Sequence, residues 1–364
     1  MSYFLLSLVS RIYDFRIDNN MRKQFGAKPS KIELEKYSKS IYWNGSIFEN
    51  LEETNMEFSL SKMPEFLHKQ FFKKNGREAQ SLPIVPFDTK SFEASNHAMQ
   101  SIWYGHSAIY MRLKSKTILI DPMFGPDAAP IAPFKVKRFS NATLDIIDDF
   151  PEIDLVLISH DHYDHLDYDS ILKLKDKVNC FYVALGVKKH LVSWGIEENK
   201  ITEFDWWEES DFNDIKITFT PTRHFSGRGL TDRAKSLWGG WVFKTDDENI
   251  WFSGDSGYGT HFKEIGTRLG PFDFAFMECG QYNENWHQIH MYPEESVQAA
   301  LDARVQNCMP VHWAGFALAQ HSWQEPVERF VEKAESERLN YIVPKIGELF
   351  SLQYERNSKW WRNE

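Results

Sequence analysis

DLVLISHDHYDHLD, residues 154–167, is the stretch on which the reading of this chain turns. An apolar run ends at Ser159, and His160, Asp161, His162, Tyr163, Asp164 and His165 follow without a break. Such a run, closed by polar residues, reads as a buried strand. Side chains two apart in an extended segment point to one side, so His160 and His162 can share a ligand. Asp164 and His165 fall where the next segment, rich in Leu and Lys, begins a helix, and they can face a second point nearby. Three histidines and three aspartates within residues 160–167 would be costly to crowd together without a cation. Imidazole and carboxylate donors of this kind suit zinc, and also iron or manganese. One histidine alone is more often packed or exposed than ligating, but four ligand-type side chains at one strand end reverse that balance.

Working outward, three further candidates sit at other strand ends. His224 follows IKITFTPTR, and His312 follows CMPV and opens HWAGF. Asp255 follows NIWFSG in SGDSGYG, where glycines would let the backbone pass close to a metal. Each alone reads equally well as a hydrogen-bonded loop residue. Together they add one ligand for each of two metals and a carboxylate to bridge them. His106, in WYGHSA, reads either as an anchor behind the ligands or as simple packing. Trp206, Trp207, Trp238 and Trp241 read as packing rather than as substrate platforms. Cys279 and Cys308 lack metal spacing and read as small buried apolar residues. There is no G-x-S-x-G elbow and no Walker A loop, so serine-hydrolase and P-loop chemistry have no support.

With 364 residues, 42% of them apolar and 15% aromatic, the chain can bury a large core and is neither disordered nor collagen-like. The net charge of -10 argues against a nucleic-acid coat. Three scattered cysteines point to a reducing compartment, hence a cytoplasmic protein. No run reaches the ~18 apolar residues of a membrane span. Phe4, Leu5, Leu8, Val9, Ile12 and Phe15 recur at helical spacing, which favours an amphipathic helix over a signal peptide. Residues 1–100 hold 14 Lys+Arg against 12 Asp+Glu and the rest 28 against 40, so all the acidity lies in the second part. The texture changes there too. Residues 1–94 read as a helical and loop-like N-terminal extension, and residues 95–364 as an α/β (α+β) domain. Its strands come first as hairpins and later alternate with helices, which suggests a mixed sheet, or two packed sheets, with helices outside. Segment 61–77 carries Lys62, Lys69, Lys73, Lys74 and Arg77 among Phe66, Leu67, Phe71 and Phe72. That is the composition of a membrane-surface element, or of a solvated helix packed by its Phe face.

The succession of ILID ending at Asp121, H-x-H-x-D-H, a later His, an Asp and a final His resembles the metallo-β-lactamase fold superfamily. The words WYGHSAIYMR, ILIDPMF, HDHYDHLD, GPFDFA, MYPEES and HWAGFALA are more specific. They resemble the N-acylphosphatidylethanolamine-hydrolysing phospholipase D branch, and more distantly the ascorbate-6-phosphate lactonase-like branch. The likeness covers roughly residues 95–350, and the N-terminal segment matches only loosely. It implies an αββα sandwich with a dinuclear site at one sheet edge. His160, His162 and His224 would hold one divalent ion and Asp164, His165 and His312 the other, with Asp255 bridging. Asp121 would brace the ligand loop, and His290 would contact substrate phosphate.

The implied activity is that of a zinc-dependent phosphoric diester hydrolase. It would cleave N-acylphosphatidylethanolamine to phosphatidic acid and an N-acylethanolamine with a bridging hydroxide oriented by Asp255. Two alternatives stand beside it. One is a lactonase or small phosphate-ester hydrolase using the same site. The other is a non-catalytic binding protein with a structural metal, which would have no need of two open cations. The implied partner is phospholipid, with peripheral membrane contact through residues 61–77. No nucleic acid is expected, and a homodimer is left open.

Overall fold

The structure is a computed structural model that describes residues 23–56, 79, 81–94, 98–130, 135–354 and 358–362. The segment 61–77 and the apolar repeat over residues 4–15 lie outside the described residues.

Short apolar runs after residue 99 form an antiparallel meander of β1 (Gln100–Trp103), β2 (Ile109–Leu113) and β3 (Lys116–Ile120). Lys114 and Ser115 join β2 to β3 with left-handed backbone at both positions (φ 46° and 62°). That two-residue turn matches the twist of the strands it connects. The pairing then becomes parallel through β4 (Ile153–Ile158), β5 (Val178–Ala184) and β6 (Ile201–Phe204). β4 is buried at five of its six positions, as an interior parallel strand covered on both faces should be. The helix Tyr168–Leu174 forms the crossover from β4 to β5 and buries Tyr168, Ile171 and Leu174 at helical spacing. Asp167 caps it by accepting from the Ser170 amide at 2.9 Å.

The second sheet repeats this scheme. β7 (Glu209–Phe212), β8 (Ile215–Thr220), β9 (Gly240–Lys244) and β10 (Asn249–Phe252) are antiparallel. β11 (Phe274–Glu278), β12 (Asn307–Val311) and β13 (Asn340–Tyr341) then add in parallel. Helices His261–Arg268, Pro293–Asp302 and Glu325–Glu337 lie in its crossovers. β14 (Leu349–Ser351) returns to pair antiparallel with β1. The result is two seven-stranded mixed sheets, ordered β14-β1-β2-β3-β4-β5-β6 and β13-β12-β11-β10-β9-β8-β7.

One apolar core joins the sheets. Phe350 of β14 lies 6.1 Å from Phe274 of β11, and Phe204 of β6 lies 5.3 Å from Trp241 of β9. This is the α+β sandwich expected from the sequence. The short strands β6, β7, β13 and β14 went unread there. β7, sequence ESDF, alternates exposed and half-buried positions and carries two acids, which suits a sheet edge and hides the strand.

The described part of residues 1–94 packs on this sandwich. Tyr37, Phe48, Leu82 and Phe92 enter the same core. Helix Lys31–Tyr37 begins in a capping box, with Ser30 and Glu33 each accepting the other's amide, and its Lys36 reaches Glu203 at 2.8 Å. No helix among the described residues is long and apolar enough to cross a membrane.

Candidate metal centre

The carboxyl ends of β3, β4, β10, β11 and β12 open onto one edge of the sandwich, and the loops leaving them carry the polar residues singled out above. The loop after β4 supplies His160 and His162, and the loop between β8 and β9 supplies His224. His160 Nε2 lies 2.9 Å from His162 Nδ1, which lies 3.2 Å from His224 Nε2. The facing nitrogens are available as donors because the far side of two rings is occupied. Ile289 O can only accept, so His224 Nδ1 carries the proton in their 3.0 Å contact. Ser159 Oγ donates to Asp121 at 2.6 Å and so accepts from His160 Nδ1 at 3.0 Å.

A second set forms beside it. His165 Nε2 is 3.4 Å from His312 Nε2, and Asp164 Oδ2 is 3.7 and 3.5 Å from the same two atoms. His165 Nδ1 donates to Asp121 at 2.8 Å. Asp255 Oδ2 reaches both sets. It lies 3.0 Å from His165 and 3.1 Å from His312, and 3.9 and 4.0 Å from His224 and His160. The structure therefore brings all seven sequence-predicted ligands together.

The donor chemistry fits divalent cations. Burial, and then neighbouring imidazoles, hold His160 and His224 well below the usual imidazole range, and burial brings His162 down to about 4. All three are neutral near pH 7, as ligands must be. The carboxylates call for positive charge. Burial alone would pull His312 down, but Asp255 and Asp164 outweigh it and push it up to about 10; His165 is raised in the same way. A buried cluster that draws positive charge onto its imidazoles is one that metal ions satisfy. Three histidines on one side, with two histidines and an aspartate on the other, suit zinc, iron or manganese alike.

The surroundings hold these groups rigidly. Asp161 turns away from the centre and accepts from the Gly227 amide at 2.6 Å and from Ser236 Oγ at 2.7 Å. Buried Arg228 clamps the loop by donating from Nη1 to Asp161 O and Leu166 O at 2.8 and 2.7 Å, and its guanidinium lies 4.0 Å over the Tyr163 ring. His106, Asp121 and His312 all have left-handed backbone, at φ 56°, 42° and 69°. Strain of this kind collects where surrounding structure dictates an exact side-chain direction. The glycines beside Asp255 let neighbouring backbone come close. A Cβ on Gly254 would meet Gly239 O at 2.4 Å, and one on Gly257 would meet Gln288 O at 1.9 Å.

His106 is the anchor behind the ligands: its Nε2 lies 2.8 Å from Asp164 and its ring 4.1 Å from that of His312. His290 lies beside these residues, stacked 5.2 Å from His312 and edge-on at 4.9 Å to His224. Trp206, Trp238 and Trp241 are buried, as are the Cys279 and Cys308 thiols. Two neighbours were missed in the sequence. Glu278, buried at the end of β11, pairs with His290 Nδ1 and accepts from the Ser256 amide at 3.1 Å. An acid closing an apolar strand, as at Asp121, was a signal for it. Asn50, which touches the backbone of His224, lies 174 positions away and gave none.

Residues 116–313 match the model of the β-lactamase superfamily domain. An uncharacterized protein of Mycobacterium tuberculosis is 34% identical over 345 residues, 93% of this chain and 91% of that protein. N-acyl-phosphatidylethanolamine-hydrolyzing phospholipase D 1 of Caenorhabditis elegans is 29% identical over 288 residues, 74% of this chain and 80% of the nematode protein. Among solved structures, a metallo hydrolase of the archaeon Ignicoccus hospitalis superposes with a TM-score of 0.54 at 19% identity, covering 71% of this chain and all of that one.

Proposed function

We propose, since the chain belongs to the β-lactamase superfamily and is a metal-dependent hydrolase of that fold, that it cleaves a phospholipid phosphodiester of the N-acylphosphatidylethanolamine kind. The products would be phosphatidic acid and an N-acylethanolamine. The observation that carries the hydrolytic reading is the position of Asp255 Oδ2 between two clusters of side chains able to ligate metal. The lipid reading draws on the likeness to the nematode phospholipase D and on the basic, aromatic segment 61–77, which we assign to docking on an anionic membrane surface.

His160, His162 and His224 would hold one ion, Asp164, His165 and His312 the other, and Asp255 both. Two divalent ions would supply acidification of water and polarisation of the phosphoryl oxygens. The chain's own residues do the rest. Asp255 keeps negative charge at the centre and can orient a water through its carboxylate. Asp121 fixes the ring directions of His165 and, through Ser159, of His160. Glu278 pairs with His290 Nδ1 and leaves Nε2 to meet a phosphoryl oxygen, to which it donates when the imidazole carries both protons. No side-chain nucleophile is required.

The test is a turnover assay on vesicles containing N-acylphosphatidylethanolamine, with both products followed by mass spectrometry. Activity should vanish with chelator and return with zinc. Turnover confined to a lactone or a short phosphate ester would replace the lipid reading and keep the hydrolase. No turnover on any ester by the zinc-loaded protein would favour the binding-protein alternative.

A further inference from the structure

We propose that Asn50 is a positioning residue for the ligand set His160, His162 and His224, and that residues 50–55 form a strap which completes this metal centre from outside the matched family domain. The proposal rests on the reading of that set as a metal site.

His224 sits in a loop, where no strand partner takes up its backbone polar groups. Asn50 takes up both. Its Nδ2 donates to His224 O at 2.8 Å, and its Oδ1 accepts from His224 N at 3.1 Å. The same Oδ1 accepts from Trp238 Nε1 at 3.1 Å, which ties the amide to the rigid core. One side-chain amide thus does for His224 what an adjacent strand does for a ladder residue, and it fixes the donor–acceptor direction of the peptide on either side of the ligand.

The rest of the strap grips the surroundings of the same residue. Arg223 Nε donates to Thr54 Oγ1 at 3.0 Å, and Arg223 Nη2 to Glu53 O at 2.7 Å. The Asn55 amide donates to Gln288 Oε1 at 2.8 Å, next to Ile289, whose carbonyl orients the His224 ring. Glu52 anchors the strap by accepting from the Thr260 amide at 2.7 Å. Every residue of the strap precedes position 116, where the family match begins. The side chain of His224 is therefore aimed by one carbonyl within that match and its main chain by one amide outside it.

Chemistry selects asparagine here. Aspartate of the same size would keep the acceptor for His224 N and Trp238 Nε1, but it would set a carboxylate oxygen against His224 O, where Asn50 now donates.

The experiment is zinc titration of the full chain against a chromogenic chelator, with thermal melting of the metal-free proteins alongside. Wild type should bind two ions. Asn50→Ala and Asn50→Asp should weaken one of them by about 10–100-fold, the range for groups that orient a metal ligand, and leave the other within twofold. Glu52→Ala, which loosens the strap, should weaken the same ion more mildly, whereas Lys177→Met, which uncaps the Ile147 and Phe150 carbonyls near the amino ends of β4 and β5, should lower the melting temperature and leave both affinities within twofold. Wild-type affinity in Asn50→Asp would overturn the proposal, as would equal weakening of the same ion in Lys177→Met. A wild type that binds no zinc would instead remove the metal-centre reading, and this inference with it.

Discussion

Asp121 and His160 do not touch, yet they share a proton path: Ser159 Oγ lies 2.6 Å from Asp121 Oδ2 and 3.0 Å from His160 Nδ1. The same carboxylate oxygen accepts from His165 Nδ1 at 2.8 Å. One buried aspartate thereby sets the ring direction of a histidine in each ligand set. Asp121→Asn tolerates the left-handed backbone and removes the charge. It should weaken zinc binding by about 10–100-fold at both positions, read by chelator competition. Weakening at one position only would mean that the Ser159 relay carries nothing.

Asp255→Asn keeps the size of the side chain and loses the charge that faces four histidines. We expect kcat to fall by about 100-fold or more, with an unchanged circular dichroism spectrum. Steady-state kinetics together with metal analysis check this. Near-normal turnover would assign the central carboxylate elsewhere.

Arg228→Met removes the donor that holds both ends of the ligand loop and leaves the carbonyls of Asp161, Leu166 and Gln24 without it. Stability should drop by roughly 2–4 kcal/mol, at the cost of about 1 kcal/mol or more for each buried carbonyl left unpaired. Urea unfolding of the metal-free protein measures it. A loss under about 1 kcal/mol would show that the loop holds itself.

His261 is buried and brought down to about 3 from 6.5, chiefly by burial, with its Nε2 3.0 Å from Ser256 Oγ. Its folded pKa lies below its unfolded one, so between those values the unfolded chain takes up a proton that the folded chain refuses. Stability must then fall as pH falls through that window. His261→Gln should make the decline of melting temperature between pH 6.5 and pH 4 shallower, although His106 and His190, also pulled down by burial, keep it from vanishing. An unchanged slope would exclude His261 as a contributor.

Replacing Lys73 and Lys74 with Glu should weaken binding to anionic vesicles and slow hydrolysis of vesicle-borne lipid, while a soluble short-chain phosphodiester is turned over as before. High salt should erase the difference on vesicles, since exposed charges are screened beyond about 8–10 Å. Equal loss on both substrates would point to damaged folding.

The residues that converge at the centre were legible because strand ends are legible. H-x-H-x-D-H follows an apolar run directly, and His224, Asp255 and His312 each follow another. Pairing order was less so: β6, β7 and β14 are short edge strands whose polar positions face outward. The supporting groups were hidden for a different reason. Arg228 grips a loop more than 60 positions away, and Asn50 pairs with a residue 174 positions away. Contacts of that kind leave no local period in the sequence. Glu278 falls between these cases, since it closes the apolar strand β11 just as Asp121 follows β3.

β14 has a consequence for how the molecule is made. It pairs with β1, Gln100 facing Ser351, so the first sheet to leave the ribosome keeps an open flank until residues 349–351 have been synthesised. During that interval the backbone donors and acceptors of β1 are a template for any extended segment nearby, including β1 of another nascent copy. Early release or clipping before residue 349 would make that exposure permanent, and the cell would meet the defect as aggregation rather than as lost catalysis.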